Sequence, residues 1–160
     1  MKKIFCLGLA VLLSGCGEKS DFSEAIQASL NKNPRNCVYV SEYNRDGLAA
    51  LTSAGLYSET GFTNSAKPYL QDDRKLCWSK NVVGEVTSWT KPAEVPNAGV
   101  TVSHVTFTTK LEDIATWAKD ASIQKAFPDI QRMMEQKDQR EKKVTLIKTE
   151  QGWQVDGLFR

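Results

Sequence analysis

The chain has 160 residues, with four cysteines, one histidine and a formal charge of +2 from 21 basic and 19 acidic side chains. That length holds one domain and not two sizeable ones, and the ordinary composition excludes a disordered or low-complexity chain. Removing Lys2 and Lys3 from the 21 basic side chains leaves 19 against 19 acidic ones. These are interspersed, so there is neither the basic footprint that nucleic-acid phosphates demand nor a polybasic patch for membrane docking.

The amino end is a separate unit. Met1-Lys2-Lys3 is a positive head, followed by an apolar run from Ile4 to Leu13. That run is too short for a ~20-residue spanning helix and suits the core of an export signal. It ends in Leu13-Ser14-Gly15-Cys16. These residues resemble the lipobox leader of bacterial lipoproteins. The resemblance covers residues 1–16. It implies that residues 1–15 are removed, that Cys16 carries a diacylglyceryl thioether, and that the new amino end is acylated. Two or three acyl chains hold durably, since each buried methylene contributes about 0.8 kcal/mol. Gly17, rather than an aspartate after the cysteine, implies the periplasmic side of the outer membrane more than the inner membrane. Residues 16–20 then form the lipidated cysteine and its tether. Gly17 to Ser20 span at most ~14 Å extended, which sets the domain against the headgroups.

Residues 21–160 are expected to form a single globular domain, a helical portion over 21–80 and a ββααββ portion over 81–160. Asp21-Phe22-Ser23-Glu24 reads as a capping box, with Phe22, Ile26 and Leu30 at helical spacing. Asn31 to Pro34 ends that helix. Cys37 to Val40 is a short extended segment, and Asp46 is placed to cap a helix carrying Leu48 and Leu51 that closes at Gly55. Residues 55–72 look irregular, and Lys75 to Ser79 reads as a strand returning Cys77 toward Cys37. Val82 to Trp89 and Gly99 to Thr109 are strands, the second with a bulge where its apolar phase shifts between Val102 and Val105. Leu111, Ile114, Trp117 and Ala118 mark a helix. Pro128 starts another, with Ile130, Met133 and Met134. Val144 to Ile147, a Glu150-Gln151-Gly152 turn and Trp153 to Phe159 make a hairpin. The fold class is α+β, a mostly antiparallel sheet with helices on one face, preceded by a small mainly helical portion. The second half resembles the curved sheet of cystatin-like domains and the first half a small winged-helix unit. Neither likeness rests on a motif, and neither transfers a function.

Of the four cysteines, Cys6 belongs to the leader and Cys16 takes lipid. Cys37 and Cys77 remain as an even pair in an oxidising compartment, and a disulfide is expected between them. It stabilises by roughly 4 kcal/mol in the chain-entropy account. Two free thiols or a metal site are the alternatives, but with one histidine and no Cys-x-x-Cys the chain lacks metal ligands.

No catalytic, cofactor or metal signature stands out. His104 sits mid-strand without a marked nucleophile, so a structural or surface role outweighs a triad. Asp72-Asp73 beside Arg74 and Lys75 reads as a solvated turn, and the Glu135 to Lys143 run as a helix end and turn. Trp117 and Trp153 are candidates to line an apolar pocket between sheet and helices. Tyr57, Phe62 and Tyr69 are three aromatics in an irregular segment, a place where rings often anchor partners. The expectation is a non-enzymatic, membrane-tethered interaction module of accessory, inhibitor or immunity type, with an envelope protein as partner. A binder or sensor of a small apolar ligand is the alternative.

Overall fold

The computed structural model describes residues 14–136 and 141–157; residues 1–13 of the expected leader and the last residues of the expected final strand, Leu158 and Phe159, lie outside them. The fold is α+β, built on a curled, mostly antiparallel sheet.

Helix α1 (Ser14–Leu30) begins before the Asp21 capping box. Gly17 to Ser20 therefore belong to the helix and do not form an extended tether. Docking explains the difference: Phe22, Ala25 and Ile26 are buried, Lys19 pairs with Glu85 at 2.9 Å, and a helix nucleated by such packing extends cheaply in both directions. Strand β1 (Arg35–Tyr39) and helix α2 (Arg45–Ser53) follow. Asn44, not Asp46, caps α2, its Oδ1 accepting from the Gly47 amide at 2.9 Å. Residues 55–72 hold a small hairpin of β2 (Tyr57–Ser58) and β3 (Gly61–Phe62), a 3-10 turn over Asn64–Tyr69, and β4 (Leu70–Asp72).

The long strand β5 (Lys75–Trp89) fuses the two strands expected over 75–79 and 82–89, so the portions divided at residue 80 share one continuous element. Then come β6 (Ala93–Val95), β7 (Val100–Glu112), a 3-10 turn over Thr116–Lys119, α3 (Ala121–Ala126), α4 (Pro128–Glu135), β8 (Glu141–Thr149) and β9 (Gly152–Val155). The sheet order is β1-β5-β7-β8-β9, with β4 also on β5 and β6 also on β7. The helix expected from Leu111 to Ala118 is instead the end of β7 and the 3-10 turn. The next helix, α3, starts on Asp120, whose carboxylate accepts from the Ser122 amide at 2.7 Å.

Bulges lie in β5 rather than in β7. Pairing of β7 with β8 runs one for one from Thr101 to Thr108, and Val102 stands opposite Ile147 and Ala93. On β5, the partner of β1 steps from Ser79 to Cys77 as Asn36 gives way to Cys37, leaving Trp78 as the extra residue. Two further shifts against β7 fall between Val83 and Ser88. At the first, a Cβ on Gly84 would meet Thr108 Oγ1 at 2.6 Å, the oxygen that accepts from the Glu85 amide. Each bulge re-aims side chains that period-2 alternation would turn away.

One face of the sheet is therefore buried along β7, and apolar there except at Ser103 and Thr109. On β7, Ser103, Val105, Phe107 and Thr109 are all buried, one after every exposed or half-exposed residue. The helices cover this face in two places. Helix α1 closes a core with Val86, Val105, Phe107 and Leu146, in which Phe22 meets Trp153 and Trp89 edge-on at 5.0 and 6.0 Å. The α2–α4 group closes another, around Leu51, Leu76, Trp78, Ile123 and Ile130.

Candidate interaction groove

At the β1 end of the sheet three short segments converge. Tyr39 ends β1, and Val40 donates its amide to the Arg74 carbonyl at 2.8 Å, tying the chain after β1 to the turn before β5. Ser41 to Asn44 form a compact turn: the Asn44 amide donates to the Ser41 carbonyl at 3.0 Å and the Tyr43 amide to Ser41 Oγ at 3.2 Å. In the β2–β3 hairpin, Tyr57 lies opposite Phe62, and the two rings meet edge to face at 5.3 Å, a stabilising cross-strand aromatic pair. Gly61, with φ 110°, occupies backbone space that L side chains avoid. Asp72 Oδ1 accepts from the Arg74 amide at 2.9 Å. That bond, with help from Lys75 at 3.4 Å, holds the Asp72 carboxyl below the usual carboxylate range.

These pieces enclose an open groove of about 380 Å³, walled by Tyr39, Tyr43, Tyr57 and Phe62 and edged by Glu42, Asp73 and Arg74. Arg74 Nη1 donates to the Tyr39 hydroxyl at 3.0 Å. This bond, and the nearby charges of Asp73 and Glu42, hold the guanidinium even more firmly protonated than usual. Among the described residues the exposed large hydrophobic side chains are Tyr39, 54 % exposed, and Tyr43, 88 % exposed, and both belong to this groove.

Two residues before Tyr39 on β1 lies the Cys37–Cys77 disulfide, with Cα atoms 3.7 Å apart and a sequence separation of 40. The two cysteines are cross-strand partners of β1 and β5. The bond thus staples the edge strand that delivers Tyr39 to its neighbour β5.

Of the three aromatics expected at an interaction surface, Tyr57 and Phe62 reach the groove while their inner faces rest on the α2–α4 core. Tyr69 does not; it is half-buried, edge-on to Trp117 at 6.0 Å. Tyr39 and Tyr43, not expected from the sequence, complete the groove. Trp117 and Trp153 are not brought together. Trp117 is buried in the α2–α4 core, its Nε1 without a hydrogen-bond partner. Trp153 packs on Phe22 in the other core, with Lys148 Nζ 5.9 Å from its ring centre. His104 is exposed on β7 with Nδ1 3.0 Å from Thr145 Oγ1. Among the described residues no three His, Cys, Asp or Glu side chains gather as a metal site, and no helix is long and apolar enough to cross a membrane. The groove offers ring faces, hydroxyls and charges, which is equipment for binding. No protein-family model, curated protein or solved structure matches the chain.

Proposed function

We propose that this chain is a lipid-anchored protein of the bacterial envelope, held on the periplasmic side of the outer membrane through Cys16, that binds another envelope protein with the Tyr39–Tyr43–Tyr57–Phe62 groove. It acts without catalysis, as an accessory, inhibitor or immunity-type module. The observation that carries this reading is the exposure of Tyr39 and Tyr43 beside the Tyr57–Phe62 pair. Exposed aromatics rimming one concavity, with an arginine among them, have the composition of binding hot spots. Tyrosine gives large contact area at low cost in side-chain entropy. The disulfide two residues before Tyr39 supports the same reading, because a surface ordered beforehand loses less freedom on binding.

The reading places the groove far from the anchor. Cys16 lies in the first turn of α1, and Lys19, one turn on, sits against Glu85. The groove sits beyond Lys75, at the other end of β5, roughly 30 Å away at the rise of a strand. Partners are then met on the aqueous side rather than at the headgroups. A small apolar ligand held between sheet and helices has less support, because Trp117 and Trp153 lie in separate cores.

Two measurements test the reading. Mass spectrometry of the amino-terminal peptide from envelope-isolated protein is expected to find Cys16 as the acylated first residue; an unmodified Cys16 within a longer peptide overturns the anchor. Tyr39→Ala with Tyr43→Ala is expected to abolish capture of the partner with little change in thermal stability. Undiminished capture by the folded double variant overturns the groove.

A further inference from the structure

We infer that the occupant of the groove is a cationic, extended peptide segment, whose Arg or Lys side chain passes over the tyrosine rings to reach Glu42 and Asp73. This rests on the reading of the groove as a protein-contact site and names the chemistry that site selects. The charges that edge the groove are two carboxylates, Glu42 and Asp73, against one guanidinium, Arg74. That guanidinium is already engaged, since it donates to the Tyr39 hydroxyl at 3.0 Å and lies in the fields of both acids. An incoming anion would have to take Arg74 from these partners and would face the two carboxylates. An incoming cation meets a net negative edge. Beyond that edge the charges balance: Asp72 is matched by Lys75, and exposed Glu59 at the tip of the β2–β3 hairpin is offset by exposed Arg45 after the Tyr43 turn.

The ring faces select in the same direction. A cation above a tyrosine or phenylalanine ring is attracted by the negative face of the ring, and three tyrosines and a phenylalanine wall this groove. The aromatic walls and the carboxylates therefore both suit a cation. The openness of the groove to solvent, with Tyr43 88 % exposed, suits a segment lying across it better than a small molecule sealed within it. Electrostatic complementarity of this kind gives specificity and association rate more than raw affinity.

The test uses the disulfide-bonded protein labelled for nuclear magnetic resonance and two capped heptapeptides, one carrying two arginines and one carrying two glutamates in their place. The arginine peptide is expected to shift the amide signals of Tyr39, Glu42, Tyr43 and Gly61, and to bind at least ~10-fold tighter than the glutamate peptide at low salt, the difference shrinking as salt screens it. Glu42→Gln with Asp73→Asn, checked for an unchanged fold by the same spectra, is expected to remove the preference. Equal or tighter binding of the glutamate peptide overturns the inference. So do shifts confined to surfaces other than the groove, a preference that survives in the double variant, or an absence of shifts with either peptide. Partner capture by Tyr39→Ala with Tyr43→Ala then stands or falls on its own, so failure of the charge preference is distinguishable from failure of the groove.

Discussion

The two cores beneath the sheet are held by different means. The first is closed by one element, the 17-residue helix α1, whose Phe22 is wedged against Trp89 and Trp153. The second is closed by helices of nine, six and eight residues, none long enough to be stable alone. The disulfide lies beside the second core, as does every exposed tyrosine of the groove. The difference teaches a division of labour. One half is closed by a single regular helix, and the irregular half, whose loops can present side chains outward, has its edge strand β1 bonded covalently to β5.

The comparison breaks most severely at Phe22. Phe22→Ala leaves a fully buried void and is expected to cost about 3–5 kcal/mol, read by chemical denaturation, with hydrogen exchange rising throughout the sheet because β5 and β7 serve both cores. Removing the disulfide by Cys37→Ala with Cys77→Ala is expected to cost about 2–4 kcal/mol. Here the exchange should accelerate in β1, α2 and the β2–β3 hairpin and leave α1 protected. Uniform acceleration would mean that the two halves are one cooperative unit. Asn44→Ala removes the side-chain cap of α2, and about 1 kcal/mol of stability is expected to go with it; an unchanged thermal midpoint would show the cap to be dispensable.

The smallest effect is a matter of pH. The Ser122 hydroxyl and amide donate to the Asp120 carboxylate and hold its pKa below the ordinary value. With the folded pKa depressed, this contribution is fully present above the unfolded carboxylate pKa and is lost as pH falls through the folded one. Asp120→Asn, which keeps the accepting oxygen, is expected to flatten that part of the acid-stability profile, and an identical profile would contradict the assignment.

What was legible in the sequence follows the same division. The β8–β9 hairpin announced itself through Val144/Leu146 and Trp153/Val155 around a turn, and all of these face one core. Phe22, Ile26 and Leu30 were likewise visible as one helical face. The unity of β5 was hidden, because its bulges at Trp78 and between Val83 and Ser88 break the alternation by which a strand is recognised and Lys80-Asn81 interrupts its apolar run. Leu111 and Ile114 sat at helical spacing but belong to a strand end and the turn after it. At the groove, composition alone flagged Tyr57 and Phe62. Tyr39 and Tyr43 were not legible, because the direction of a ring is a matter of register: Tyr39 points outward one position after buried Val38, and Tyr43 is turned out by the turn that ends in Asn44.

Site-specific photo-crosslinking in the native host tests the central claim most directly. A photoreactive residue at position 43 in the groove half is compared with one at position 151, in the exposed β8–β9 turn of the half closed by α1. A specific adduct to one protein from position 43, absent from position 151 and reduced when Glu42→Gln and Asp73→Asn are added, is the predicted result. The same adduct from position 151 with none from position 43 would contradict the assignment of function to the groove.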